Sequence, residues 1–186
     1  MSTQTKPKDG YWHQVFTGKS INVLSVLPED ISIIDIAHGL SHMCRWNGNC
    51  ERFYSVAEHS VLVSLCVPQH VAGKALLHDA AEAYLGDCIT SIKAMLPDFH
   101  VMEERLSTAI YEKYGVVEQD YAHIKMWDQV IGKSEARTMM KPTRFMEEAL
   151  KNISCIASGM PIDFKFMSPE EAKLAFLDRA GVLGLI

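Results

Sequence analysis

The chain has 186 residues, enough for one domain with a sizeable core, and its 48% apolar and 22% charged content is that of a globular protein. Eighteen Lys and Arg against 23 Asp and Glu give a net charge of −5, which argues against a protein that coats duplex nucleic acid by neutralising phosphates. Five cysteines without a C-x-x-C pair fit a reducing compartment better than a disulfide framework.

Residues 1–10 are polar with no apolar run behind them, unlike a signal peptide. The longest apolar stretch, near Val61–Val67, is far short of a membrane span. The expectation is a cytoplasmic protein without a membrane partner. Residues 11–27 read as a short β-hairpin around Thr17-Gly18-Lys19. Helices follow. Ser32 with Asp35 opens one carrying Ile33, Ile36, Ala37 and Leu40 on a single face. Ser55 with Glu58 has the form of a capping box before Val56, Val61, Leu62 and Leu65, and Pro68 ends that run. A third helix is predicted over about 69–85, with Val71, Ala75, Leu76 and Ala80 inward and Gly86 as its stop. A fourth covers about 98–114 and closes at Gly115. A long helix over about 118–140 halts before Pro142. Ser168-Pro169-Glu170-Glu171 combines an N-cap, a first-turn proline and a capping box for the last helix. The pattern is all-α, a helical bundle with one short N-terminal hairpin. It reads as a single domain over 1–186, with its core at about 28–140 and a C-terminal segment, 141–186, packed on it.

Chemistry concentrates on three of these helices. His59, the adjacent His78 and Asp79, and Asp128 form a mixed N/O ligand set that suits Mn, Co, Zn, Fe or Mg without choosing among them. The alternative is four polar residues on amphipathic helices, but an adjacent His-Asp pair beside Leu76 and Leu77 would then bury charge without return. His38 and His42 also have ligand spacing, yet no third ligand is near in sequence, so they read as solvent-facing or as braces behind a site. Glu135 shares a helical face with Asp128 and reads equally well as a brace or as helix surface. The methionines, Met139-Met140 among them, read as core filler, and the cysteines as buried, inert thiols.

The order His59, His78-Asp79, Asp128 resembles the H…HD…D signature of the HD-domain phosphohydrolase superfamily. The similarity extends over Cys44-Arg45-Trp46, Phe53 to Ser60, Leu77 to Asp87, Ser134-Glu135-Ala136-Arg137 and Ser168 to Ala172, roughly residues 15–180. It is nearest to the phage and prophage branch, close to bacterial 5′-deoxynucleotidases and phage deoxynucleoside triphosphate (dATP) triphosphohydrolases. The resemblance implies that His59, His78, Asp79 and Asp128 hold a divalent metal. It further implies that Glu82 and Asp87 are the catalytic carboxylates, and that Arg45, Trp46 and Lys93 bind the nucleotide. Relatives commonly carry prolines after the Gly-Asp pair, where this chain has Cys88-Ile89-Thr90-Ser91, and Gly48 leaves space beside Trp46. The expected function is metal-dependent hydrolysis of deoxynucleoside 5′-monophosphates. The alternatives are a triphosphohydrolase that releases triphosphate and an inactive nucleotide-binding module that retains its metal. By the same analogy a homo-oligomer, a dimer or larger, is expected.

Overall fold

The computed structural model describes residues 12–116, 121–144 and 162–186. The predicted helix start near 118, Cys155 and part of the 141–186 segment lie outside them. The hairpin is present: β1 (Trp12–Gln14) pairs antiparallel with β2 (Ser20–Asn22), with His13 opposite Ile21. Eight α-helices follow among the described residues. They are α1 (Ile33–His42), α2 (Val56–Cys66), α3 (Ala72–Leu76), α4 (Glu82–Leu85), α5 (Thr90–Lys93), α6 (Pro97–Lys113), α7 (Tyr121–Met139) and α8 (Pro169–Val182). The protein is all-α with a short β-hairpin.

α2 is the axle of the bundle. Its residues Val56–Val61, with Val63 and Ser64, are buried on every side, as befits a helix enclosed by neighbours. It packs on α1, α3, α7 and α8. One apolar cluster joins Ile36, Leu40, Val56, Leu76, Ile110 and Phe176, and a second joins Val63, Ala75, Ile124 and Ile131. The inward face foreseen for α1 is correct, since Ile33, Ile36, Ala37 and Leu40 are all buried. Leu65, grouped with the core face of α2, is instead 58% exposed at the helix end. Gly39 lets α1 approach α4, because a Cβ there would sit 2.9 Å from the Ala83 Cβ.

Of three helix starts with capping signals, two depart from expectation in informative ways. Ser32 precedes α1 but makes no side-chain cap, and Asp35 is spent on the hairpin turn, accepting from the Thr17 backbone N–H at 2.7 Å and its hydroxyl at 3.0 Å. Ser55 does cap α2 through the Glu58 N–H at 3.1 Å. Glu58 does not reciprocate; its carboxylate accepts the backbone N–H groups of Lys165, Phe166 and Met167 at 2.8, 3.1 and 2.8 Å. Only Ser168 and Glu171, ahead of α8, complete a box in both directions.

The single helix expected over 69–85 is broken. A 3₁₀ turn (Gln69–Val71) leads into α3, residues 77–81 are turns, and α4 begins at Glu82. The cause is local: His78 Nδ1 lies 2.7 Å from the Ala75 carbonyl, the acceptor that a continuous helix would give to the Asp79 N–H. Beyond it, Ala80 N–H donates to Leu77 and Glu82 N–H to Asp79, both three residues back. The His-Asp pair therefore sits in a tight turn, not on a helix face. The described cysteines differ too, since Cys44, Cys50, Cys66 and Cys88 are partly exposed.

Candidate metal centre

Three elements bring the four sequence-predicted residues together. α2 supplies His59, the turn after α3 supplies His78 and Asp79, and α7 supplies Asp128. His59 Nε2 lies 3.1 Å from Asp128 Oδ1 and 4.0 Å from Asp79 Oδ2. His78 Nε2 lies 3.2 Å from Asp79 Oδ2 and 3.9 Å from Asp128 Oδ1. One ligand atom each of His59, His78 and Asp128 falls within 4.8 Å of the others, and together they could hold a metal ion.

The donor chemistry fits such an ion. A cation with ligands at about 2.1 Å sets neighbouring ligand atoms roughly 3.0–3.4 Å apart, close to the shorter separations here. Both imidazoles have Nδ1 engaged, His78 with the Ala75 carbonyl and His59 with Glu135 Oε1 at 2.6 Å. An Nδ1–H held by an acceptor leaves the Nε2 lone pair for a metal. His78 Nε2 is moreover buried without a hydrogen-bond partner.

Glu135 is the residue whose role the sequence left undecided. Its side chain is fully buried, and its second oxygen accepts from Arg45 Nε at 3.0 Å. The helix-surface reading is excluded. Seven residues beyond Asp128, it lies two turns along the same face of α7, the one clue the sequence held. Tyr54, fully buried on the approach to α2, stands beside this carboxylate, which helps push its hydroxyl pKa up after burial.

Opposite charges face one another across the centre. Burial opposes ionisation of Asp79, but the His78 imidazole, His59 and Arg45 hold it well below the usual carboxylate range. Burial lowers His78, and Asp79 and Asp128 outweigh it, leaving that imidazole at about 9. Glu135 is drawn down to about 2, against burial, by His59 and Arg45. Glu82, nearly enclosed, is pushed up to about 9, first by burial and then by Asp79 and Asp87.

The remaining predicted residues line one open cleft of about 1000 Å³ that starts at His78, Asp79 and Asp128. Arg45 enters it from a 3₁₀ segment (Arg45–Gly48), with NH1 3.6 Å from Asp79 Oδ2. Trp46 and Asn47 take left-handed φ values of 58° and 53°, a strained turn of the kind found where a loop serves a ligand. The Trp46 indole N–H is buried without a partner. Glu82 opens α4, and Gly86, at φ 85°, turns the chain so that Asp87 faces the same cleft. Lys93 lies between Glu103, at 2.6 Å, and Glu82, at 3.8 Å. Glu103 was not foreseen, because its link to Lys93 spans a loop and a helix change. His38 and His42 stay outside the site; His38 stacks on Phe16 with ring centroids 3.7 Å apart and His42 stacks on His38.

Fold and site together define a class: an all-α protein with a buried His/Asp centre able to hold a metal ion, opening into a polar cleft. No helix among the described residues is long and apolar enough to cross a membrane. No family model matches the chain. It is 41% identical over 126 residues to the uncharacterized protein YfdR of Escherichia coli (strain K12), an overlap that takes in 68% of this chain and 71% of YfdR. It is 34% identical over 188 positions to an uncharacterized protein of Rhodobacter capsulatus, covering 92% of this chain and 95% of that one. The chain belongs to the family of these two proteins.

Proposed function

We propose that the protein is a metal-dependent phosphohydrolase of deoxynucleotides that converts deoxynucleoside 5′-monophosphates to deoxynucleoside and phosphate. The observation that carries this reading is the pair of imidazoles with Nδ1 engaged and Nε2 turned toward Asp79 and Asp128, at one end of a cleft that also holds Glu82, Asp87 and Arg45. His59, His78, Asp79 and Asp128 would hold the divalent ion, drawn from Mn, Co, Zn, Fe or Mg. Such an ion polarises a phosphoryl oxygen and lowers the pKa of water.

The chain's own groups supply the rest. Arg45, fixed by Glu135, keeps its outer N–H groups toward the cleft for phosphate oxygens. Trp46 offers a flat face and an indole N–H for sugar or base. Glu82 is almost enclosed while Asp87 is more open, both pushed up from the ordinary carboxyl value by burial first. Two carboxyls in unequal surroundings can divide acid and base duties at the leaving oxygen and the attacking water. The reading agrees with the HD-domain resemblance and places the protein in the cytoplasm, where its substrates and its free thiols belong.

The test is product analysis with protein reloaded separately with Mn, Co, Zn, Fe and Mg. Deoxynucleoside plus inorganic phosphate from dAMP, dGMP, dTMP or dCMP is expected. Intact triphosphate from a deoxynucleoside triphosphate would favour the second reading. No product from either series would overturn both.

A further inference from the structure

The cleft does not stop at Asp87 but continues along one side of α6, where Glu103, Glu104 and Glu112 line it. Glu103 is partly buried and the other two are exposed. The nearest cation, Lys93, is held 2.6 Å from Glu103 Oε1 and 3.8 Å from Glu82 Oε1, so its charge is cancelled before any ligand arrives. Arg45, the candidate clamp for the phosphate beside the centre, pairs with Glu135 at 3.0 Å and lies 3.6 Å from Asp79. Lys125, exposed on α7, is the third Lys or Arg among the lining residues, and these three face six carboxylates besides the nearly enclosed Glu82. A cation at the centre would offset carboxylates there but not those on α6.

A polyphosphate tail needs a row of donors or cations along its path. The wall of α6 has hydroxyls at Ser107, Thr108 and Tyr111 and an imidazole at His100, but its carboxylates, Glu103, Glu104 and Glu112, carry the opposite sign. Resting on the deoxynucleotide reading above, we propose that Glu103, with Glu104 and Glu112 beside it, is a specificity-determining residue that keeps polyphosphate tails out. The site then takes nucleoside monophosphates and rejects the matching triphosphates. Glu103 acts by occupying the Lys93 ammonium, its own charge being offset within that pair, and leaves Glu104 and Glu112 to set the sign of the wall. A sugar or base, being uncharged, meets no such penalty along this wall.

Calorimetric titration of the metal-loaded protein with dAMP and with dATP, at one fixed free-metal concentration, reads the ratio of the two affinities. The wild type is expected to prefer dAMP by tenfold or more. Glu103→Gln, isosteric and at a partly exposed position, narrows the ratio by roughly tenfold, and Glu104→Gln with Glu112→Gln narrows it severalfold. Added salt shrinks these differences. If dAMP binds the wild type but both variants keep its ratio within twofold, or if dATP binds the wild type more tightly than dAMP, the exclusion by α6 is wrong and the nucleotide reading stands. If neither nucleotide binds, that reading falls and the inference with it.

Discussion

Glu135 Oε1 lies 2.6 Å from His59 Nδ1, and both side chains are wholly shielded from solvent. The same carboxylate holds Arg45, so one buried group orients a ligand imidazole and the candidate phosphate clamp together. Glu135→Ala is expected to weaken metal binding by about 10–100-fold, the usual effect of losing such an orienting partner. It also strands a buried Arg45 charge and should lower stability by about 3–5 kcal/mol. Glu135→Gln keeps an acceptor for His59 and should lose less of both. Calorimetric metal titration and urea unfolding measure the two quantities; unchanged metal affinity in the Ala variant would remove Glu135 from the centre.

Metal uptake should release protons. His78 sits at about 9 in the metal-free protein, raised by Asp79 and Asp128 against burial, and only its neutral form offers the Nε2 lone pair. Affinity is therefore expected to climb as pH rises from 6 toward 9. Titrations in buffers of different ionisation enthalpy count the protons released, and a count of zero at pH 7 would contradict the assignment of His78.

The metal-free fold should lose stability as pH rises. Glu82 goes from 4.5 as its ordinary value to about 9 in the folded chain, so the unfolded state ionises first. Its contribution is complete below about 4.5 and disappears as pH passes through about 9. His78 adds a slope of the same sign between 6.5 and about 9. Glu82→Gln keeps the His78 slope and removes its own, so its urea midpoint falls less steeply between pH 5 and 9. Parallel curves for the two proteins would count against a protonated, buried Glu82.

Gly39→Ala sets two effects in opposition. Alanine gains up to about 1 kcal/mol in helix propensity. Its Cβ would stand 2.9 Å from the Ala83 Cβ and 3.0 Å from the Ala83 Cα, an overlap with backbone that cannot rotate away. Overpacking of this kind costs about 1–3 kcal/mol, so a net loss is expected in thermal unfolding. Since Ala83 follows Glu82 directly, activity should fall with stability; a more stable variant would mean that α1 and α4 separate freely.

Removing the Glu58 carboxylate leaves three backbone N–H groups, those of Lys165, Phe166 and Met167, without their acceptor. A fully buried unsatisfied donor costs about 1–3 kcal/mol, and these lie on a partly exposed segment that water reaches, so the loss per group falls below that. Glu58→Ala should lower the urea midpoint and speed proteolytic cleavage near 165–167, while Glu58→Gln keeps an acceptor oxygen and falls between. Equal cleavage rates in all three proteins would show that the apolar contacts of Tyr54 with Phe164 and Phe166 suffice.

Features that repeat at short range could be read directly from the chain. The inward face of α1, the Ser168–Glu171 box and the stop at Gly86 each depend on residues within a turn or two of one another. The clustering of His59, His78, Asp79 and Asp128 was foreshadowed by ligand types and by the resemblance. What escaped has partners far along the chain: Glu58 answers to residues past 164, Asp35 to Thr17, Glu135 to Arg45 and His59. Local rules assign such side chains to caps or to solvent, because the competing acceptor or donor is brought near only by tertiary packing. The break at 77–81 escaped similarly, since helical spacing persists across it while a single imidazole takes the carbonyl that would have continued the helix.

Residues 58 and 59 are neighbours on α2 that face opposite tasks, one fastening the segment 165–167 and the other standing in the centre. A segment made long after Glu58 thus finishes the packing of the helix that carries the first ligand. A chain cut short before residue 165 would present His59 on an α2 whose neighbouring carboxylate has nothing to grip.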